Sequence, residues 1–428
     1  MNSRTPQAQN PPPRRVRLSP HARKALRRTL LVVLTMLVLS LVLSRGWLGP
    51  FSVIIKSPQG TALDQLTRFV YPWPAPRPAR GFPLVILVDL DQASVQQLSP
   101  EGYVFNRGQM ARLLQKLMEY RPKAVFLDFD LSQPSNEGGV RSAGDQQLLQ
   151  TLRQVSSLLL LPDPQVMGLP LAQVSPRLEQ VAAQILYDGD GQARWVPRPR
   201  SGQPLAASLA LYCLGAGLDQ ARCRNLGQGS QDGKRIVFRQ VRRYGPDTEG
   251  TQLWPGLVVI SGNELLADTL AKSPQTEGAL FLVGRTYPVS DDAHFTPVGA
   301  LQGIDIHLSA LMTLATYRHF SEVLGWGPLL LVVAVLVFVA LWLTYTITDG
   351  LLRASRFRDF TQALIETAIA AWFLFFAGVL VLQYYGHFLD YLFPILAFQL
   401  GMLALKPFSG GKKHETGHVE HQAPEAKP

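Results

Sequence analysis

Five aspartates stand at or just past the ends of unbroken apolar runs. Asp89 and Asp91 follow Leu84-Val-Ile-Leu-Val88, Asp128 and Asp130 follow Ala124-Val-Phe-Leu127, and Asp292 lies in the polar loop beyond Ala279-Leu-Phe-Leu-Val283. Runs of this kind read as buried parallel strands. In an open α/β sheet the carboxyl ends of parallel strands share one edge, where ligands usually bind. The acids are therefore expected along one rim, although they are far apart in the chain. Carboxylates gathered in this way raise one another's pKa unless a cation or an arginine joins them. Arg107 and Arg285 are the candidate counter-charges. The rim is suited to a small molecule or an ion, and with His294 it could hold a divalent ion for hydrolysis. The competing reading is that these acids cap helices and accept loop backbone donors.

The elements that must position them are legible in outline. Met110, Leu113, Leu114, Leu117 and Met118 recur at helical spacing, and Arg121-Pro122 ends that helix. The expected unit is strand, helix, strand, with the two strands parallel and the crossover right-handed. Leu158 to Leu161 adds a further strand. Asp188-Gly-Asp-Gly191 resembles the start of a calcium loop but lacks the glutamate at its end, and a β-hairpin turn fits better. No standard hydrolase or zinc motif is present, so no catalytic residue is assigned. Gly227-Gln-Gly229 has neither a strand before it nor a helix opening after it, and no cofactor is expected.

The chain has 428 residues, is 47% hydrophobic and only 17% charged, and carries a net charge of +10. That charge is not spread evenly. Residues 1–29 hold seven arginines, Lys24 and no acid, whereas residues 48–326 hold 25 basic and 24 acidic side chains. Such basicity flanks a membrane helix and does not form a nucleic-acid surface. Four apolar stretches, 30–47, 327–347, 363–383 and 388–405, read as membrane helices. Arg27 and Arg28, then Arg353, Arg356 and Arg358, then Lys406, Lys412 and Lys413 fall on one side if all four cross. Both termini are then cytoplasmic, as is the loop 348–362, and residues 48–326 are extracytoplasmic. Segments 1–29 and 406–428 are expected to be disordered. Glu366, the one acid in the third stretch, is expected to snorkel to the cytoplasmic interface. In an exported domain Cys213 and Cys223 could form a disulfide, or Cys213 could be a buried free thiol and Cys223 unrelated to it.

Taken in order, the segments resemble the CHASE family of extracellular sensor domains, in its second type. LVILVDLDQASVQQL is similar to the family's opening strand, FNRGQMARLLQKL to its arginine-led helix, and KAVFLDFDL to its second strand. AGDQQLLQTL resembles the aspartate-led helix and DGDGQARWVP the hairpin. LFLVGRTYPVSDDAHFTPVG with GIDIHLSALMTL resembles the closing segment. Where the family has an aromatic-Pro pair before the arginine, this chain has Gly102-Tyr-Val-Phe105.

The resemblance implies an α/β exported sensor domain with a mainly parallel sheet, plus four transmembrane α-helices, in a bacterial inner membrane. It adds Thr296 and His307 to the candidate ligand set of Asp89, Asp91, Arg107, Asp128, Asp130, Arg285 and Asp292. It also implies a homodimer. Family members continue into an output domain, but residues 406–428 are too short to bury a core. The expectation is a stand-alone sensor that signals to a separate partner protein. An envelope assembly protein that uses the domain for docking is the alternative, since fold does not fix function.

Overall fold

The computed structural model describes residues 19–44, 62–98, 106–135, 141–197, 200–227, 234–240, 254–286, 292–320, 326–351, 358–389, 395 and 399. Helix α1 (Pro20–Ser44) comes first, then α2 (62–70), β1 (Val85–Asp89), α3 (Gln92–Leu98), α4 (Arg107–Met118), β2 (Ala124–Leu127), α5 (Ala143–Gln154) and β3 (Leu158–Leu161). Short elements follow: β4 (Gln165–Val166), β5 (Leu169–Pro170), α6 (Leu171–Val174), β6 (Leu178–Gln180), β7 (Leu186–Tyr187) and β8 (Ala193–Val196). Then come α7 (Ala207–Ala216), α8 (Gln220–Gly227), β9 (Lys234–Arg235), β10 (Leu257–Ser261), α9 (Gly262–Leu266) and β11 (Leu280–Gly284). The hairpin β12 (Ala293–Thr296) and β13 (Gly299–Gln302) leads into α10 (Gly303–Tyr317), α11 (Trp326–Leu351) and α12 (Arg358–Tyr385).

Two compact units result, one of Gly60–Leu324 with Ala377–Asp390 and the other of Met1–Gln59, Gly325–Phe376 and Tyr391–Pro428. The first is built on a six-stranded sheet in the order β10-β1-β11-β2-β3-β6, with every pairing parallel. Alternate residues of the apolar runs point to opposite faces, and both faces are covered. Leu87, Phe126, Leu160 and Leu282 pack with α7 and α10 on one side. Val88, Leu127, Leu161 and Val283 pack with α4, α5 and α9 on the other. The expected β1–α4–β2 unit is present and its strands run parallel. They are not neighbours, because β11 inserts between them.

Polar caps start the helices where the chain leaves the sheet. Asn106 Oδ1 accepts from the N–H groups of Gly108 and Gln109 at 2.9 and 3.2 Å, opening α4. Ser142 and Asp145 form a capping box on α5. α4 and α5 start close together, since a Cβ on Gly144 would lie 3.0 Å from the Gly108 nitrogen.

The segments Pro328–Thr346 and Leu364–Tyr385 are long and apolar enough to cross a membrane. Residues 30–44 of the first predicted span lie in α1, which stays helical as far as Ser44. Arg45 and Trp47 lie outside the described residues, as do segment 1–18, tail 406–428 and all of the fourth stretch except Phe388, Leu389, Ile395 and Gln399. Glu366 does not snorkel. Its side chain is fully buried and takes a 2.6 Å bond from Arg28 Nη1 of α1. Lys24 Nζ lies 4.5 Å from the ring centre of Tyr345 on α11, and the Arg28 guanidinium lies 5.4 Å from it. An acid a turn inside a span is thus held by a cation from a neighbouring helix, which costs less than leaving it unpaired in hydrocarbon.

A carboxylate rim at the carboxyl edge of the sheet

β1, β11 and β2 are adjacent, and the rim forms where they end. Asp89, the last residue of β1, is buried and accepts a hydrogen bond from the Thr286 hydroxyl, two residues beyond β11. Asp128 follows β2, and its N–H bonds the Val283 carbonyl at 2.9 Å. Burial, with Asp292 adding, pushes the Asp128 carboxyl up to about 7, while Arg285 opposes the shift. Asp292 opens β12; its Oδ2 accepts the Gly303 N–H at 3.3 Å and its Oδ1 lies 3.2 Å from His294 Nε2. Gly303 permits this approach, because a Cβ there would sit 2.8 Å from Asp292 Oδ1.

A fourth carboxylate, Asp305 in the first turn of α10, completes the group. Burial, then Asp89, push it up to about 7; the Gln302 N–H opposes this and Asp292 adds to it. Sequence reasoning missed Asp305. Its signal was an acid in the first turn of a helix, which reads as ordinary capping until the β12–β13 hairpin folds that helix start back onto the rim. Asp89, Asp128, Asp292 and Asp305, with Arg285, are therefore brought together. The arrangement gathers negative charge and can take up protons near neutral pH. Among the described residues, no group of three histidines, cysteines or acids is placed to hold a metal ion.

The remaining candidates stand apart, each for a local reason. Asp91 caps α3, accepting the Ser94 N–H at 2.8 Å. Asp130 turns away to accept from the Ser132 N–H at 2.8 Å and its hydroxyl at 2.6 Å. Arg107 donates to the Asp130 carbonyl at 3.1 Å and lies 3.9 Å from Asp145. Burial lowers its pKa, against Asp145 and Asp130. Arg285, by contrast, stays at the rim, its guanidinium 5.8 Å from the Phe129 ring centre. Thr296 closes the β12–β13 turn, donating to the Gly299 carbonyl at 2.6 Å. His307 is a core residue. It sits 3.1 Å from the Ala183 carbonyl, edge-on to Phe126, and burial takes its pKa down to about 4.

The Asp188–Gly191 turn joins β7 to β8, as expected of a hairpin. Its acids face an arginine instead of an ion. Arg194 donates to Asp188 at 3.0 Å, to Asp190 at 2.7 Å and, through Nε, to Asp64 of α2 at 2.9 Å. Arg194 and Asp64 are both buried, and the Arg235 guanidinium stacks 4.7 Å from the Trp195 ring centre beside them. Cys213 and Cys223 are joined in a disulfide that fastens α7 to α8.

α10 carries the rim away from the sheet. At its far end the Tyr317 hydroxyl donates to the Gln383 carbonyl of α12 at 3.1 Å. The buried Arg239 lies 3.4 Å from that hydroxyl and also donates to the Val70 carbonyl of α2. Gln383 in turn donates to the Pro74 carbonyl at 2.7 Å. His319 and His387 stack with ring centres 4.4 Å apart.

The family model of the CHASE2 domain matches residues 31–345. Neither the curated proteins nor the solved structures show a match to the chain. The matched segment covers most of the chain and includes every strand of the sheet and all four rim carboxylates. On that match, the chain belongs to the CHASE2 domain family of extracellular sensor domains.

Proposed function

We infer that the protein is a membrane-bound sensor. Its extracytoplasmic domain, residues 48–326, binds a small molecule or ion at the carboxylate rim and signals through its membrane helices to a separate partner protein. The observation that carries this reading is the placement of α10. Its first residue is held by Asp292 of the rim, and its last residue, Tyr317, is bonded to α12. A helix of 15 residues spans about 22 Å. It is a rigid rod between a site that changes charge and the end of a candidate membrane span. Protonation or a cation at the rim relieves the repulsion among Asp89, Asp128, Asp292 and Asp305, and the start of α10 follows Asp292. In this proposal the chain crosses a bacterial inner membrane four times, keeps both termini in the cytoplasm, and works as a homodimer.

The proton is itself a probe of the rim. Spin labels at the exposed Ala300, beside the start of α10, and at the exposed Tyr384 of α12 report their separation in the full-length protein in lipid nanodiscs. The separation is expected to differ between pH 5.5 and pH 8, and to stop changing in the Asp128→Asn, Asp305→Asn double variant. Identical distributions at both pH values would remove the rim as the sensing site. A reporter fused at residue 200 that faced the cytosol would remove the topology.

A further inference from the structure

A second recess lies away from the rim, between α2 and the turns of the two hairpins. It is an open recess of about 570 Å³, lined in part by Arg68, Asp190, Gln192, Phe295, Thr296 and Pro297. That volume suits a small organic molecule.

The hydrogen-bonding capacity left inside is one-sided. Asp190 spends both oxygens on Arg194 and also accepts the Gln192 N–H at 3.1 Å. Gln192 gives its carbonyl oxygen to Arg194 at 3.1 Å. Thr296 donates to Gly299 and accepts from the Val298 N–H. These side-chain acceptors are therefore engaged, while side-chain donors remain. Arg68 is exposed and uses only Nε, on the Pro297 carbonyl; no carboxylate among the described residues pairs with it. The amide NH₂ of Gln192 is likewise open. Beside these donors stands Phe295, 71% exposed.

We propose that this recess is a binding site for a small organic anion, its carboxylate taken by Arg68 and Gln192 and its aryl or short alkyl body laid on Phe295 and Pro297. Arginine recognises carboxylates through paired donors, and an exposed aromatic face gains from being covered. The site is distinct from the rim, which favours cations. Both act on elements that reach α12: Leu66, two residues before Arg68, packs against Gly378 of that helix.

The test uses full-length protein in nanodiscs, with phenylacetate as probe and phenylethanol and phenethylamine as neutral and cationic controls. Binding is read by saturation-transfer NMR and by the shift in thermal unfolding. Phenylacetate is expected to bind saturably and both controls much more weakly. Arg68→Gln is expected to weaken binding by about tenfold or more, and Phe295→Ala by about threefold or more. Arg68→Lys, which keeps the charge, guards against a folding defect and is expected to retain part of the affinity. Absence of saturable binding, equal binding of the amine, or affinity unaltered in both Arg68→Gln and Phe295→Ala would each overturn the proposal.

Discussion

The Tyr317 hydroxyl donates to the Gln383 carbonyl at 3.1 Å and thereby ties the end of α10 to the end of α12. The same oxygen lies 3.4 Å from Arg239, a fully buried cation with few other acceptors around it. Tyr317→Phe removes both roles. A buried polar group deprived of its partner costs about 1–3 kcal/mol, and a charged one more. The variant is expected to unfold at lower temperature and to lose the pH-driven change in separation between Ala300 and Tyr384. Gly386→Ala tests the same junction from the other side. Gly386 has φ +66° and lies against the Tyr317 ring, so a side chain there is both strained and crowded.

The rim predicts a pH dependence of defined sign. Asp128 and Asp305 ionise near 7 in the folded chain, against about 4 in an unfolded one. Below that lower value both states are neutral there and nothing is lost. As pH rises through the window from 4 to 7 the unfolded chain ionises first, so stability falls, and the loss is complete above 7. His307 works in the opposite sense. Its folded value of about 4 lies below the ordinary 6.5, so it removes stability as pH falls from 6.5 to 4. Above 6.5 the aspartates act alone. The melting temperature of the Asp128→Asn, Asp305→Asn variant, relative to the unaltered protein, is expected to climb from pH 5 to about pH 7 and to level off above that. A difference that stays flat over that range would contradict the assignment.

Gly303 is where the rim meets α10. A methyl group at this residue would lie 2.8 Å from Asp292 Oδ1 and expel the carboxylate from the helix start. Gly303→Ala is expected to cost about 1–3 kcal/mol, typical of overpacking. It is also expected to lower the midpoint at which the rim titrates, because Asp292 no longer repels Asp128 and Asp305. Carboxyl NMR or infrared titration of the variant reads that midpoint directly.

The Cys213–Cys223 bridge closes a short loop between α7 and α8, and its presence requires an oxidising compartment. Thiol alkylation of whole cells, followed by mass spectrometry, is expected to find both cysteines blocked unless reductant is added first. Cys213→Ser with Cys223→Ser is expected to lower stability by about 2–3 kcal/mol, the loop-closure contribution for a ring of this size. Free thiols in untreated cells would argue against an extracytoplasmic location for residues 48–326.

Several elements were legible because their signals are local. Leu84–Val88, Ala124–Leu127, Leu158–Leu161 and Ala279–Val283 announced strands by continuous apolar character, and the structure builds β1, β2, β3 and β11 there. The helix of Met110 and Leu117 and the turn at Asp188–Gly191 were readable from spacing and glycine placement. The insertion of β11 between β1 and β2 was not readable, because parallel neighbours are chosen by long-range packing and not by chain order. The short edge strand β6 escaped because its three residues, Leu-Glu-Gln, make no apolar run, whereas β10 was passed over although Leu257-Val-Val-Ile260 carries one. Glu366 was misplaced because its partner, Arg28, comes from a helix more than three hundred residues away.

The amino-acid order by itself determined where apolar surface must be buried, where strands and helices begin, and that acids stand at strand ends, since these follow from periodicity and residue chemistry within a few positions. The tertiary structure decided which acids meet. It placed β1, β11 and β2 side by side, drew Asp305 into the rim through the β12–β13 hairpin, left Asp91 and Asp130 with local partners, and buried His307 against Ala183 and Phe126. Electrostatic coupling falls steeply with distance in a partly buried site. Only the fold sets those distances, so only the fold separates a charged rim from a row of helix caps.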